Sequence, residues 1–122
     1  MSEYIHLRSS GDFRKVYTCG RRYEGSLMTA FVYPNGLEHH RLGITASRKA
    51  IGNAVERNRS KRLLRETFRL NEVALGDMKI RYDLVLNARR SLLRVKIAVS
   101  LEDFQGIIAR VMSDELSLAR VE

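Results

Sequence analysis

Cysteine is the scarcest chemically useful residue in this chain, and its scarcity excludes a good deal. Cys19 is the only one among 122 residues, so no internal disulfide can form and no four-thiolate metal site can be assembled. A reducing compartment suits such a chain. No apolar run approaches the roughly 18 residues that span a bilayer, and the first ten residues, MSEYIHLRSS, lack the hydrophobic segment of a signal peptide. These absences predict a soluble, cytoplasmic protein with no membrane contact. Repeats, low-complexity tracts and interdomain linkers are also missing, which predicts one domain over residues 1–122.

Catalytic constellations are equally scarce. There is no nucleophile beside a base, no carboxylate pair and no phosphate-cradling glycine loop, and Asp77 and Asp83 stand outside any catalytic pattern. His6 is isolated. His39 and His40 are adjacent but have no acidic or cysteine partner nearby, and neighbours on a strand point to opposite faces. The polypeptide is therefore expected to hold neither an active site nor a metal.

Positive charge is what the chain has in excess: 22 Lys and Arg against 14 Asp and Glu, a formal +8. Residues 48–69 carry eight of the cations and only two Glu, a local +6. At 3.6 residues per turn, Arg57, Lys61, Arg65 and Arg69 form one stripe of a helix, with Asn58 and Arg62 on its flank. Leu63, Leu64, Thr67 and Phe68 fall on the other side and can pack on a sheet. Guanidinium forks bind phosphate oxygens bidentately, and an Asn amide can reach a ribose or a base edge. A solvated surface laced with salt bridges is the bland alternative, but Glu56 and Glu66 are too few to neutralise eight cations. An i, i+4 pair of Arg62 with Glu66 would remove one acid and leave the excess intact. A nucleic acid is the expected partner. Lys49 and Asn53 flank Gly52 at the mouth of the helix, where free N–H groups favour an anion, although both residues also serve purely local roles.

The remaining pattern is mixed. Ser9 and Asp12 make a capping-box-like start for a helix with Phe13, Val16 and Tyr17 on one face, and Gly20 stops it. Residues 27–33 and 41–46, separated by Pro34-Asn35-Gly36, read as an antiparallel hairpin, with 21–24 a further short strand. The basic helix is expected from about Asn53 to Leu70, and a strand at 82–87. A last helix begins at Ser100 as cap and buries Phe104, Ile107, Ile108, Val111 and Met112. Residues 92–99 fit strand and helix equally. Phe13, Tyr17 and Phe31 could stack on unpaired bases. By residue type alone the core is the preferred place for them, less so for Tyr17, whose hydroxyl favours a wet edge.

The run Arg57-Asn58-Arg59-x-Lys61-Arg62-x-x-Arg65-Glu66, preceded by Lys49 and Gly52-Asn53-Ala54-Val55, closely resembles the signature of the bacterial ribonuclease P protein subunit. Upstream, Asp12-Phe13-x-x-Val16-Tyr17-x-x-Gly20 matches in order and distance. The resemblance covers roughly residues 7–87; Arg48 stands for the more usual Lys and Ala46 for a β-branched residue. Beyond residue 88 no diagnostic motif occurs, which leaves Arg89, Arg90 and Arg94 unassigned.

The resemblance implies an α+β, single-domain α-β-β-β-α-β-α sandwich, like domain 2 of ribosomal protein S5, with a left-handed β-α-β crossover. It implies that Arg48, Lys49, Asn53, Arg57, Asn58, Arg59, Lys61, Arg62, Arg65 and Arg69 meet the catalytic RNA. Phe13, Tyr17 and Phe31 then line a cleft for the single-stranded 5′ leader of precursor tRNA, which reverses the core preference. The RNA subunit, with Mg2+ bound mainly by RNA and substrate, performs the hydrolysis that generates mature tRNA 5′ ends, and no obligate protein partner is implied. A ribosomal or RNA-assembly protein using the same helix on structured RNA is the alternative. A protein-only nuclease would need an acidic metal cluster that the sequence does not display.

Overall fold

Local capping sets the first two helices. In the computed structural model, which describes residues 5–119, Ser9 Oγ accepts the Asp12 N–H at 3.0 Å and opens α1 (Ser10–Cys19), which ends at Gly20. Asn53 Oδ1 accepts the Glu56 N–H at 2.9 Å and opens α2 (Ala54–Leu70). A short α3 (Glu72–Gly76) follows, then a 3-10 turn at Arg90–Arg94, α4 (Ile97–Ser113) and α5 (Glu115–Ala119). The expectations of a missing signal segment and of a domain reaching both termini fall partly on residues outside the described range.

Five strands form one sheet: β1 (Ile5–His6), β2 (Arg21–Glu24), β3 (Met28–Pro34), β4 (Arg41–Thr45) and β5 (Tyr82–Ala88), in the order β1-β4-β5-β3-β2. The expected hairpin of β3 with β4 does not form. β3 pairs antiparallel with β2 and β5, and β4 pairs parallel with β5. β5 takes the centre because YDLVLNA is buried along nearly its whole length and demands cover on both faces. The stretch between β3 and β4 is also too long for a tight turn, so nothing forces those strands together.

The sheet has a different layer on each side. Leu42, Leu84, Leu86, Val32 and Ala30 meet Leu64 and Phe68 of α2 and Phe104, Ile107 and Ile108 of α4 in the main core. Each large side chain fully buried there contributes roughly 2 kcal/mol. On the opposite face Val85 meets Leu7 and Val16, with Phe13, Phe31 and Tyr33 packed around them, so α1 covers part of that face alone.

The last helix starts earlier than expected. Lys96 caps it without a side-chain bond, and Ser100 lies inside it at 0% exposure. The hydroxyls of Ser100 and Thr67 are 2.6 Å apart, so a helix-to-helix bond between α4 and α2 satisfies the polar group that had suggested a cap. Asp103 instead accepts the N–H groups of Ser26 and Leu27 at 3.0 and 2.9 Å, tying α4 to the β2–β3 turn. Met112, expected in the core, is 38% exposed.

His40 links α3 to the centre of the sheet. Its Nδ1 accepts the Tyr82 N–H at 3.0 Å, which leaves Nε2 to donate to the Leu75 carbonyl at 2.9 Å. Burial pushes the imidazole below its ordinary value of 6.5. Arg41 makes a fork to the buried Asp83 at 2.8 and 2.7 Å and lies 3.7 Å from Asp12 of α1, joining α1 to β4 and β5. No described helix is long and apolar enough to cross a membrane.

Candidate nucleic-acid interface

The face that α2 buries decides which of its cations face outward. Ser60, Leu64, Thr67 and Phe68 point into the core, so Asn58, Arg62, Arg65 and Arg69 lie on or beside the opposite, exposed side. Arg57 and Lys61 are only half-exposed, on one shoulder of the helix. Arg59, two residues from each, is turned about 160° from both and occupies the other shoulder. The stripe expected from the sequence is therefore a broad band with two edges.

Few acids compete for this band. Glu66 is engaged by Arg69, whose Nε donates at 3.2 Å and Nη2 at 2.5 Å. The i, i+3 partner has thus displaced the expected i, i+4 partner, Arg62. The pair is half-exposed and contributes little to stability, and Glu56, the other acid of α2, pairs with none of the described cations. Among the described residues, the side chains of Arg59, Lys61, Arg62 and Arg65 form no ion pair or hydrogen bond.

The loop before α2 is held by two guanidinium groups. Arg57 Nη1 donates to the Gly52 carbonyl at 3.0 Å, and Arg90 Nη1 to the Ile51 carbonyl at 2.7 Å. Gly52 sits at φ 122°, a conformation that favours glycine. Ser47 Oγ accepts the Ala50 N–H at 3.0 Å and tightens the preceding turn, on which Arg48 and Lys49 are exposed. Asn53 spends its side-chain oxygen on the cap. Arg57 and Arg90 thus act first on the protein's own backbone, a role invisible in sequence because Arg90 reaches across from the far end of β5.

The aromatic trio lies on the other face of the sheet. Phe13 packs directly on Gly43: a Cβ there would stand 2.6 Å from both Cε1 and Cζ of the ring. Tyr17 is 38% exposed and meets Phe31 edge to face, with centroids 4.9 Å apart. Its hydroxyl donates to Asn87 Oδ1 at 2.8 Å, and Thr45 Oγ1 donates to the same oxygen at 2.6 Å. Lys15, also on α1, holds its ammonium 5.4 Å from the Tyr33 ring centroid.

The structure therefore divides the expected site residues between two surfaces. α2 belongs to the main core and α1 to the smaller cluster on the other side of β4 and β5. The loop that leaves β4 after Thr45 carries Arg48 and Lys49 to α2. Asn87, Thr45, Lys15 and Arg90 were missed in the sequence; no local pattern marks them, since each acts on residues remote in the chain. Among the described residues no three His, Cys, Asp or Glu side chains are grouped to hold a metal ion.

Known proteins resemble the chain along most of its length. The family model for ribonuclease P matches residues 1–112. The ribonuclease P protein component of Alkaliphilus metalliredigens is 43% identical over 83 residues, 68% of this chain and 71% of the relative. That of Methylococcus capsulatus is 44% identical over 95 residues, 78% of this chain and 71% of the relative. The RNase P protein of Thermotoga maritima superimposes with a TM-score of 0.74 at 29% identity, covering 86% of this chain and 96% of that one. The fold is shared with the Staphylococcus aureus RNase P protein, with a TM-score of 0.72, 24% identity and 98% coverage of each chain.

Proposed function

We propose, from the premise that the chain belongs to the ribonuclease P protein family, that it holds the RNase P catalytic RNA on α2 and the 5′ leader of precursor tRNA on the α1 face of the sheet. The observation that carries this reading is the cationic band of α2, whose nearest acid is already engaged by Arg69. Arg59, Lys61, Arg62 and Arg65 are left to face phosphates, with Asn58 between them as a group able to bond a ribose or base edge. Arg48 and Lys49 extend the charge round the end of the sheet, and Arg57 keeps their loop in shape.

In this reading the protein binds and orients, while hydrolysis belongs to the RNA subunit. The RNA and the substrate bind most of the Mg2+, whose role there is to activate water and stabilise the phosphoryl charge. Neutralising leader and RNA phosphates lowers the repulsion between two polyanions, which strengthens substrate binding most where magnesium is limiting. The exposed ring of Tyr17, supported by Phe31, offers a stacking surface to an unpaired base, and Phe13 packs on the same face of the sheet. The same membership implies a left-handed crossover through β4, α2 and β5, as in domain 2 of ribosomal protein S5.

The test is cleavage of precursor tRNA by the protein alone, the cognate catalytic RNA alone and both together, at limiting magnesium. The expected result is stimulation of the RNA by the protein and no cleavage by the protein alone. Cleavage without RNA, or no stimulation, refutes the proposal.

A further inference from the structure

Asn87 occupies an unusual electrostatic position on the α1 face of the sheet. It stands in one row with Thr45 on β4 and Thr29 on β3, at the end of the sheet beside the Tyr17 and Phe31 rings. Its side-chain oxygen receives two hydroxyls, from Tyr17 at 2.8 Å and from Thr45 at 2.6 Å. The 2.6 Å separation from Thr45 lies below the range of N–H···O bonds and inside that of O–H···O bonds, so the amide is assigned with oxygen toward the hydroxyls and nitrogen away. Two donors occupy the two lone-pair directions of Oδ1. The Nδ2 group makes no hydrogen bond among the described residues, and the residue is half-exposed.

The result is a carboxamide stripped of its usual ambivalence. A free Asn both donates and accepts, which is how it pairs with adenine through N6 and N7. Asn87 can only donate. Its amide is bonded to the hydroxyl end of the exposed Tyr17 ring, where a base stacked on that ring would present its edge. Cytosine and guanine each offer two adjacent acceptors, O2 with N3 and O6 with N7. Adenine places an amino donor between its acceptors, and uracil places an imino donor between its carbonyls. A donor-only amide meets the first pair favourably and leaves the second pair with an N–H facing an N–H.

We infer that Asn87 is a specificity-determining residue that reads a stacked leader base and favours cytosine or guanine over adenine or uracil. The inference rests on the proposed leader surface and adds a base preference to it. Tyr17 and Thr45 act here as positioning residues, since they orient the amide without touching the base edge through their own hydroxyls.

The test uses the assembled RNA–protein complex and three precursor tRNAs: one with a leader of cytidines, one with a leader of adenosines, one with none. Because adenine and cytosine stack differently, the quantity read is the ratio of affinities for the two leaders, compared between the wild type and two variants. Asn87→Asp keeps both hydroxyl bonds and removes the donors; Asn87→Leu removes all three interactions. Both variants should lower the cytidine-to-adenosine ratio by about tenfold, the factor supplied by a well-made pair of base-edge bonds. Each should still bind either leader-bearing substrate more tightly than the leaderless one. An unchanged ratio in both variants overturns the role of Asn87 while leaving the leader surface standing. A wild type that binds leader-bearing and leaderless substrates equally overturns the leader surface and the inference together.

Discussion

The contact of Phe13 with Gly43 predicts a measurable coupling between packing and substrate binding. A Cβ at position 43 would lie 2.6 Å from two ring carbons of Phe13 and 3.2 Å from Leu7 Cδ1. Ordinary carbon contacts begin near 3.5 Å, so Gly43→Ala must push the ring outward by about an ångström. Neither neighbour can easily yield. The glycine sits on β4, paired with Val85 on the central strand, and α1 is fixed by Val16 and by the Arg41–Asp12 pair. Overpacking of this kind costs about 2 kcal/mol, which for a domain of this size lowers the melting temperature by roughly 6–10 °C. Displacement of α1 also carries Tyr17 away from Phe31 and Asn87, so affinity for leader-bearing precursor tRNA should fall more than affinity for the leaderless form. Thermal unfolding and equilibrium binding measure the two effects. Adding Phe13→Leu removes the ring that causes the clash and should recover most of the lost stability, but little of the leader affinity. If Gly43→Ala melts within a degree of the wild type, the close approach is not what fixes α1, and the reasoning fails.

Three further outcomes follow from the cations and from His40. Arg65→Ala should reduce the salt slope of catalytic-RNA binding by about 0.7 to 0.9, one phosphate contact, because Arg65 has no other partner. Arg57→Ala should weaken binding with a smaller change in slope, since its guanidinium also holds the Gly52 carbonyl; titrations at several salt concentrations separate the two, and equal slope losses would contradict the loop role. Burial holds His40 below 6.5, so under that pH the unfolded chain takes up a proton that the folded chain refuses, and stability should decline as pH drops from 7 toward 5. Denaturant unfolding of the wild type and of His40→Leu checks this: the variant should be less stable at pH 7 and should lose that part of the pH dependence, and an unaltered dependence would refute the assignment to His40.

What the sequence reveals of this fold is what local chemistry determines. Ser9 with Asp12 and Asn53 with Glu56 are capping pairs three residues apart, so the starts of α1 and α2 are legible. The ends of α2 and the strand at 82–87 follow from periodicity and residue type, whereas the strand at 21–24 is too polar for that and is assigned only by the family resemblance. Strand pairing is another matter: β5 separates β3 from β4 because its own burial demands a central place, and no signal near the Pro34 turn encodes that. Ser100 misleads for the same reason. Its hydroxyl is satisfied by Thr67, a residue 33 positions away, so a reading limited to neighbours mistakes it for a cap. Of the candidate site, the concentration of charge on α2 is legible, but its division between two shoulders and the holding of Ile51 and Gly52 by Arg90 and Arg57 are not. The donor-only amide of Asn87 depends on residues 17, 45 and 87 meeting in space, which only the sheet arranges.

The division of labour between the two surfaces is tested most directly by site-specific crosslinking in the assembled complex with precursor tRNA. A photoreactive group at position 62, on the exposed side of α2, should crosslink to the catalytic RNA, and one at position 17 should crosslink to the 5′ leader. Crosslinks from position 62 to the leader, or from position 17 to the catalytic RNA alone, would contradict the account.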